Sequence, residues 1–458
     1  MNILRNPGVL NSFFYIYGSL FLLFLLQFFT GSEFLSYTTT VYTIVVLLIS
    51  WVFGSRLFKI IGILFITAGI VLSLSAGNSI AAVASHITDN LPLLFFFSIL
   101  PWIGTVVKVG GMDSSITDMI QDKADRVEKI YGKSMFTSYF LAIFLNISAL
   151  YIIQNVLWRL FENEDDSLRN TFIIKSTLRA FALAVIWSPL EVIVGLTVDS
   201  TGTSYFTLLP WLITVSLLVG LIEMFIATKE FQGMTLDVQS PEIDSGRLIR
   251  TLLKMLLLLV SFLGAVMILN TWAALDFIMT IALIILPFSF TAAFIMRRFK
   301  LFLKTGWLTW KEHNNHLQNF AILFLSLGIF AGGFNSSAAP SMMQQVFSYV
   351  DHLLVLILVL IMVVIYGLAM VGVHPVATLA ILAEVLVPVL TPENALSISL
   401  VMIVCGMGIS PAAPYGINAT MTAQSMGLNP YKITRMNIGF SIRMASIGIL
   451  IAMLALIF

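Results

Sequence analysis

Apolar residues along this chain gather into long runs, and few of the runs show one polar face or strict alternation. The stretches FFYIYGSLFLLFLLQFFT (Phe13–Thr30) and LLVLILVLIMVVIYGLAM (353–370) have the length and apolarity needed to cross a bilayer as helix. Such runs predict helices near 13–30, 36–53, 58–76, 91–109 and 135–157, an interrupted element over 177–204, and a helix at 205–228. A polar stretch at 229–250 follows. Further runs lie at 251–271, 277–296, 317–333 and 353–373, then an interrupted region after Thr391 and a last run at 437–456. No segment has the dyad alternation of a barrel, and a backbone in lipid must satisfy its own hydrogen bonds. The expected fold class is therefore an all-α polytopic membrane protein.

Composition agrees with that pattern. Hydrophobic residues make up 59% of the chain and charged residues 10%, which excludes a soluble domain with a single core. A formal net charge of +1 argues against a nucleic-acid partner and leaves the lipid bilayer as the expected surroundings. The lone cysteine, Cys405, rules out a disulfide framework. The start of the chain has one arginine ahead of its apolar stretch and no small-residue cleavage site, so it reads as a retained first helix.

Two polar interruptions recur at one spacing. VGGMDSS (109–115) matches AGGFNSS (331–337), and Ser188-Pro189 matches Ser410-Pro411. Gly110 to Gly332 and Ser188 to Ser410 are both 222 positions apart (332 − 110 and 410 − 188). The implied organisation is an N-terminal helix (1–30), a first membrane repeat (31–228), a cytoplasmic linker (229–250) and a second repeat (251–458).

The basic residues orient these repeats, because Lys and Arg collect on the cytoplasmic side of short loops. Lys123, Arg126, Lys129 and Lys133 follow the first glycine pair, whereas residues 334–352 after the second have no Lys or Arg. One loop upstream the pattern reverses. Residues 77–90 have neither, and the loop 297–316 carries Arg297, Arg298, Lys300, Lys304 and Lys311. The repeats therefore read as inverted, the usual plan of secondary transporters. Parity of the basic loops then requires about 11 crossings, N-terminus inside and C-terminus outside, if 177–204 re-enters the membrane without crossing. Two features resist this scheme. Residues 159–175 fall outside despite Arg159, Arg169 and Lys175, and the apolar run 376–390 has no counterpart in the first half and is open to being an extra crossing.

A helix broken inside the membrane exposes N–H groups at one new end and carbonyls at the other, and these ends carry partial charges suited to ions and polar substrates. Candidate substrate- or ion-binding residues in the second half are Gly332, Gly333, Asn335, Ser336 and Ser337, then Ser410, Pro411, Pro414, Gly416, Asn418 and Thr420. In the first half they are Asp113 and Ser114, then Ser188, Pro189, Glu191 and Thr197. Small residues also serve close helix packing, but packing does not call for asparagine and two prolines together. Asp113 or Ser114 has a second use, as the cap of the amphipathic surface helix that follows. Ionisable groups within apolar runs mark proton or ion pathways by default. Glu191, Glu384 and His374 are the candidates for proton coupling, whereas Glu223 and Asp276 lie near helix ends, where they can snorkel.

In these motifs the chain resembles the ion transporter superfamily, most nearly its divalent anion/sodium symporter branch. FNSSAAPSMM (334–343) is similar to that group's re-entrant hairpin motif, and SPAAPYGINAT (410–420) to its Pro-rich unwound helix. The order here is Asn-Ser-Ser where the group has Ser-Asn-Thr, and Pro411 and Pro414 are not adjacent. The resemblance implies that Asn335 and Ser336 help bind sodium and a substrate carboxylate, and that Pro414 and Asn418 face the same cavity. It further implies an elevator movement with flexible points near Gly202 and Gly427.

These readings lead to the expectation of a secondary active transporter, not an enzyme, that moves a small organic anion with Na+ or H+ as coupling ion. No other cofactor is expected. His313 and His316 sit in a basic loop without the carboxylates of a metal site, and there is no phosphate-binding loop. A homodimer is compatible with the chain. The rival readings are a membrane enzyme acting on a lipid-linked substrate, which should gather charged residues on one face, and a permease subunit of a larger system.

Overall fold

The computed structural model describes residues 12–121, 126–236, 245–348 and 354–457. Residues 1–11, Lys123, the middle of the linker (237–244) and 349–353 lie outside the described residues.

The first half begins with three apolar helices, α1 (Phe13–Thr30), α2 (Glu33–Phe53) and α3 (Arg56–Ser75). Short α4 (Ile80–Ser85) and a 3-10 turn (His86–Thr88) lead into α5 (Leu91–Ile99) and α6 (Pro101–Val109), which meet at Pro101. Next come α7 (Met112–Gln121), α8 (Val127–Leu145), α9 (Ile147–Leu160), α10 (Asp166–Val185), α11 (Val192–Thr201) and α12 (Tyr205–Glu230). Asp165 starts α10, accepting hydrogen bonds from the backbone N–H of Ser167 at 2.9 Å and of Leu168 at 3.4 Å.

The second half repeats the sequence of shapes. It runs α13 (Ser245–Ala273), α14 (Phe277–Ile295), α15 (Phe299–Asn314), α16 (Gln318–Ser336), α17 (Ala339–Ser348), α18 (Leu354–Met370), α19 (Pro375–Leu386), α20 (Ala395–Gly408), α21 (Ile417–Met426) and α22 (Pro430–Ala455). In both halves a short helix precedes a hairpin (α8–α9, α18–α19), then a broken helix (α10–α11, α20–α21), then one long helix. Both broken helices end on a glycine in the left-handed region, Gly202 at φ 68° and Gly427 at φ 64°, a conformation that suits a residue without Cβ.

Among the described residues nine helices are long and apolar enough to cross a membrane. The two broken helices add two crossings to these nine. In each hairpin one arm is too short to cross, α9 with 14 residues and α19 with 12 against the roughly 20 a span requires, so neither hairpin supplies a pair of crossings. Aromatic contacts close the first hairpin at its base. Tyr131 near the start of α8 and Phe161 just beyond α9 both pack on Phe172, at 5.5 and 4.5 Å between centroids, and Tyr131 and Phe172 also pack on Phe231. The chain thus enters and leaves at one level, with Asn146 at the far tip.

This arrangement corrects four expectations. The element that re-enters in the first half is 127–160, expected to be a crossing, while 177–204 belongs to a broken helix that crosses. Residues 353–373 and 376–390 are the two arms of one hairpin. The segment 159–175 lies at the same end of the molecule as the linker: Lys175 pairs with Glu230 at the end of α12, and Val127 donates its N–H to Met234 O at 3.0 Å. The basic loop at 297–316 is largely a helix, α15.

Gly332 and Gly333 lie inside α16 and press against the first half. A Cβ on Gly333 would stand 2.2 Å from Gly69 O of α3, and one on Gly332 would stand 2.1 Å from the His86 ring. Gly69 is equally tight, its Cβ position 2.3 Å from Ile329 O. Here the glycines bring two backbones into contact. FNSSAAPSMM accordingly forms the joint between α16 and α17 and is not a hairpin tip.

Candidate functional site

The two breaks lie opposite the two hairpin tips. In the first break, residues 186–191, backbone groups released from the helix find local partners. Tyr205 OH donates to Trp187 O at 2.6 Å, and Ser188 Oγ accepts from Leu190 N at 3.3 Å. Ser188 Oγ also donates to Ile143 O near the tip of α8 at 3.3 Å, fixing the hairpin against the break. The second break, residues 409–416, is a tight turn in which Ala412 N and Ala413 N both donate to Ile409 O. Pro411 and Pro414 are buried within it, and Asn418 Nδ2 reaches back to Ser410 Oγ at 2.7 Å.

Tips and breaks line a cavity of about 330 Å³, a volume suited to a small organic molecule. Four helices begin on its wall: α9 with Ile147 and Ser148, α11 with Val192 and Ile193, α19 with Pro375 and Val376, and α21 with Ile417 and Asn418. The N-terminal end of each helix carries a partial positive charge. Four such ends on one small cavity make it a site for negative charge. Lys108 of α6 adds a full cation, and Phe97, Phe144 and Phe320 supply apolar wall.

Glu191 is the carboxylate of this site. It occupies the N-cap position of α11 and accepts a hydrogen bond from Asn146 Nδ2 at 3.0 Å. Asn146 holds φ 48° and ψ −132°, which a residue with a Cβ rarely adopts, and strain of this kind gathers at functional positions. His374, in the other tip, accepts from Val376 N through Nδ1 at 3.3 Å, and its ring packs near Phe58 and Phe320. His313 of α15 also lines the cavity, its Nε2 3.0 Å from Phe97 O. The hairpin is tied to both halves: Gln154 Nε2 donates to Thr177 Oγ1 of α10 at 3.1 Å and Thr422 Oγ1 of α21 at 3.0 Å.

Of the residues singled out in the sequence, Glu191, His374, Ser410, Gly416 and Asn418 line the cavity. Ser188, Pro189, Pro411 and Pro414 shape the breaks behind it. Thr197 and Thr420 turn their hydroxyls to their own helices, donating to Ile193 O at 2.8 Å and Gly416 O at 2.9 Å. The glycine motifs lie elsewhere. Asn335 Nδ2 donates to Glu384 Oε2 at 2.9 Å, Ser336 Oγ to Gly332 O at 2.8 Å and Ser337 Oγ to Phe334 O at 2.8 Å. Asp113 and Ser114 sit in the first turn of α7, where Ser114 Oγ donates to Gly111 O at 3.2 Å. None of these lines the cavity.

Asn146 and Lys108 were not singled out by sequence, and His313, read there as part of a solvated basic loop, lines the cavity. Asn146 left a trace, as an isolated amide in the apolar stretch IFLNISAL. A second buried carboxylate needs correction. Glu223 does not snorkel but is fully buried in α12, where Arg179 Nη1 of α10 donates to it at 2.6 Å and Arg443 of α22 binds its other oxygen. Arg179 also donates to Asn437 Oδ1 at 3.0 Å and Met436 O at 2.8 Å.

No family model matches the chain, and no curated protein matches it in sequence. Among solved structures, the fold is similar to the crystal structure of the Alcanivorax borkumensis YdaH transporter, described as having an unusual topology. The TM-score is 0.62 with 13% sequence identity, covering 87% of this chain and 98% of that one. The two proteins share a polytopic helical membrane fold.

Proposed function

We propose that the protein is a secondary active transporter that moves a small organic anion through the cavity between the two hairpin tips. The observation that carries this reading is the meeting of four helix N-termini, two from each half, on one cavity. The likeness to a transporter fold supports it. An anionic group of the substrate is held by the helix ends and Lys108, and its apolar part by the phenylalanines. Of the short motifs resembling the divalent anion/sodium symporter branch, Ser410 and Asn418 belong to this cavity and FNSSAAPSMM does not.

Two routes for ion coupling follow from the same wall. Glu191, whose side-chain partner is the neutral amide of Asn146, is the candidate proton carrier. The Oδ1 atom of Asn418 is buried without a hydrogen-bond partner, and such an oxygen suits a sodium ion. Alternating access takes the form of an elevator, in which the hairpins and broken helices, with α12 and α22 bound to them through Arg179, Glu223 and Arg443, move together past the remaining long helices. With the hairpins re-entering, an inside N-terminus and outside C-terminus place all the strongly basic segments, 159–175 included, on the cytoplasmic side.

Uptake into proteoliposomes, assayed with a panel of organic anions under imposed sodium and proton gradients, tests the reading. Gradient-dependent accumulation of at least one anion is expected. Equal uptake with and without every gradient rejects ion-coupled transport.

A further inference from the structure

Helix α15 (FKLFLKTGWLTWKEHN) crosses nothing and faces two ways. It buries Phe302 and Gly306, with Gly306 pressed on the Trp102 ring, and it turns Thr309 and His313 to the cavity. Its outer face mixes exposed Leu301, Trp307 and Leu308 with exposed Lys300 and Lys304. Neither water nor the hydrocarbon core suits such a face, whereas the headgroup boundary suits both halves of it.

Against this face lie two adjoining hollows. One is walled by Trp102, Leu286 and Phe290 with Leu303, Trp307 and Leu308 of α15, and Lys304 stands at its edge. The other, at the turn from α14 to α15, is framed by Phe294 and Ile295 and by Arg297, Arg298 and Lys300. Phe290 and Phe294 are one turn apart on α14 and both pack on Phe299, at 5.9 and 6.4 Å, so the hollows form one path from a basic end to an aromatic trough. Among the described residues, the side chains of Arg297, Arg298, Lys300 and Lys304 make no ion pair or hydrogen bond. Four cations beside an apolar trough at a membrane boundary call for a ligand that is an anion at one end and hydrocarbon at the other.

We infer that this groove binds an anionic phospholipid, its phosphate held by Arg298, Lys300 and Lys304 beside Arg297 and an acyl chain laid along Trp102, Phe290 and Trp307. The occupant is a lipid and not a soluble phosphate, because the trough continues the basic cluster into apolar surface. Binding does not depend on the transport reading. The shared helix gives the lipid a mechanical connection to the cavity wall at His313.

The test uses purified full-length protein in neutral detergent, with retention of phosphatidylglycerol and phosphatidylcholine of identical chains measured by native mass spectrometry. Phosphatidylglycerol should be retained at least tenfold better. Arg298→Gln/Lys300→Gln/Lys304→Gln should abolish that preference, since each basic side chain near a lipid surface is worth roughly fivefold in binding. Lys432→Gln/Arg435→Gln, on another basic segment, should keep it. If the triple variant does not fold, Arg298→Gln/Lys304→Gln gives the same reading with a smaller loss. Equal retention of the two lipids by the unaltered protein overturns the proposal. An undiminished preference in the groove variants overturns it, as does equal thermal stabilisation by glycerol 3-phosphate.

Discussion

Glu191 and Glu223 are two carboxylates inside one helical membrane protein, and their surroundings differ in kind. Glu223 is gripped by two guanidinium groups from helices of both halves, and its charge is answered before anything binds. Glu191 has one neutral side-chain donor, the amide of Asn146, and faces a cavity. Burial in the membrane is thus insufficient to mark a working residue. The balance of fixed charge around it separates a joint from a site.

The largest expected effect follows from breaking the joint. Glu223→Gln leaves Arg179 and Arg443 facing each other without their shared anion, at a cost of about 3–5 kcal/mol for an uncompensated buried charge. Thermal melting in detergent should show a severe loss of folded protein, and a melting curve unchanged from the parent would mean that the triad carries no weight. Glu191→Gln keeps the bond to Asn146 in neutral form, so the fold should survive while the pH dependence of uptake disappears. Uptake that still tracks pH in this variant removes Glu191 as the proton carrier. The smallest pair of effects compares the cavity with the glycine motif. Asn418→Ala should raise the KM for uptake about tenfold through the loss of a charge-assisted contact, whereas Asn335→Ala should change it less than twofold. The reverse order would return the binding role to the glycine motif.

The apolar runs made the membrane class, most helices and the duplicated plan legible from sequence. They did not show which interrupted element crosses. Exchanging a re-entrant hairpin for a crossing broken helix leaves the parity of every later loop unchanged, so the basic residues were blind to the exchange except at 159–175, where they objected. The 19-residue helix α8 has the length of a span, and only Asn146 hints that the chain turns back there. Glu191, Ser410 and Asn418 were legible because polar groups and prolines in an apolar run require a break. Arg179 and Arg443 stand 44 and 220 positions from Glu223, a separation at which no local pattern pairs them. The glycine pair was seen as a repeat, but a glycine that admits a ligand and one that admits another backbone look alike until the neighbour is known.

The backbone contact between α3 and α16 has a practical consequence for anyone following movement in this protein. Helices that touch at Gly69 and Gly333 have no side-chain layer to slide or tilt upon, so they form a benchmark against which other distances can be surveyed. Paired spin labels, one on exposed Leu64 of α3 and one at a hairpin base, would read displacement of the hairpin directly.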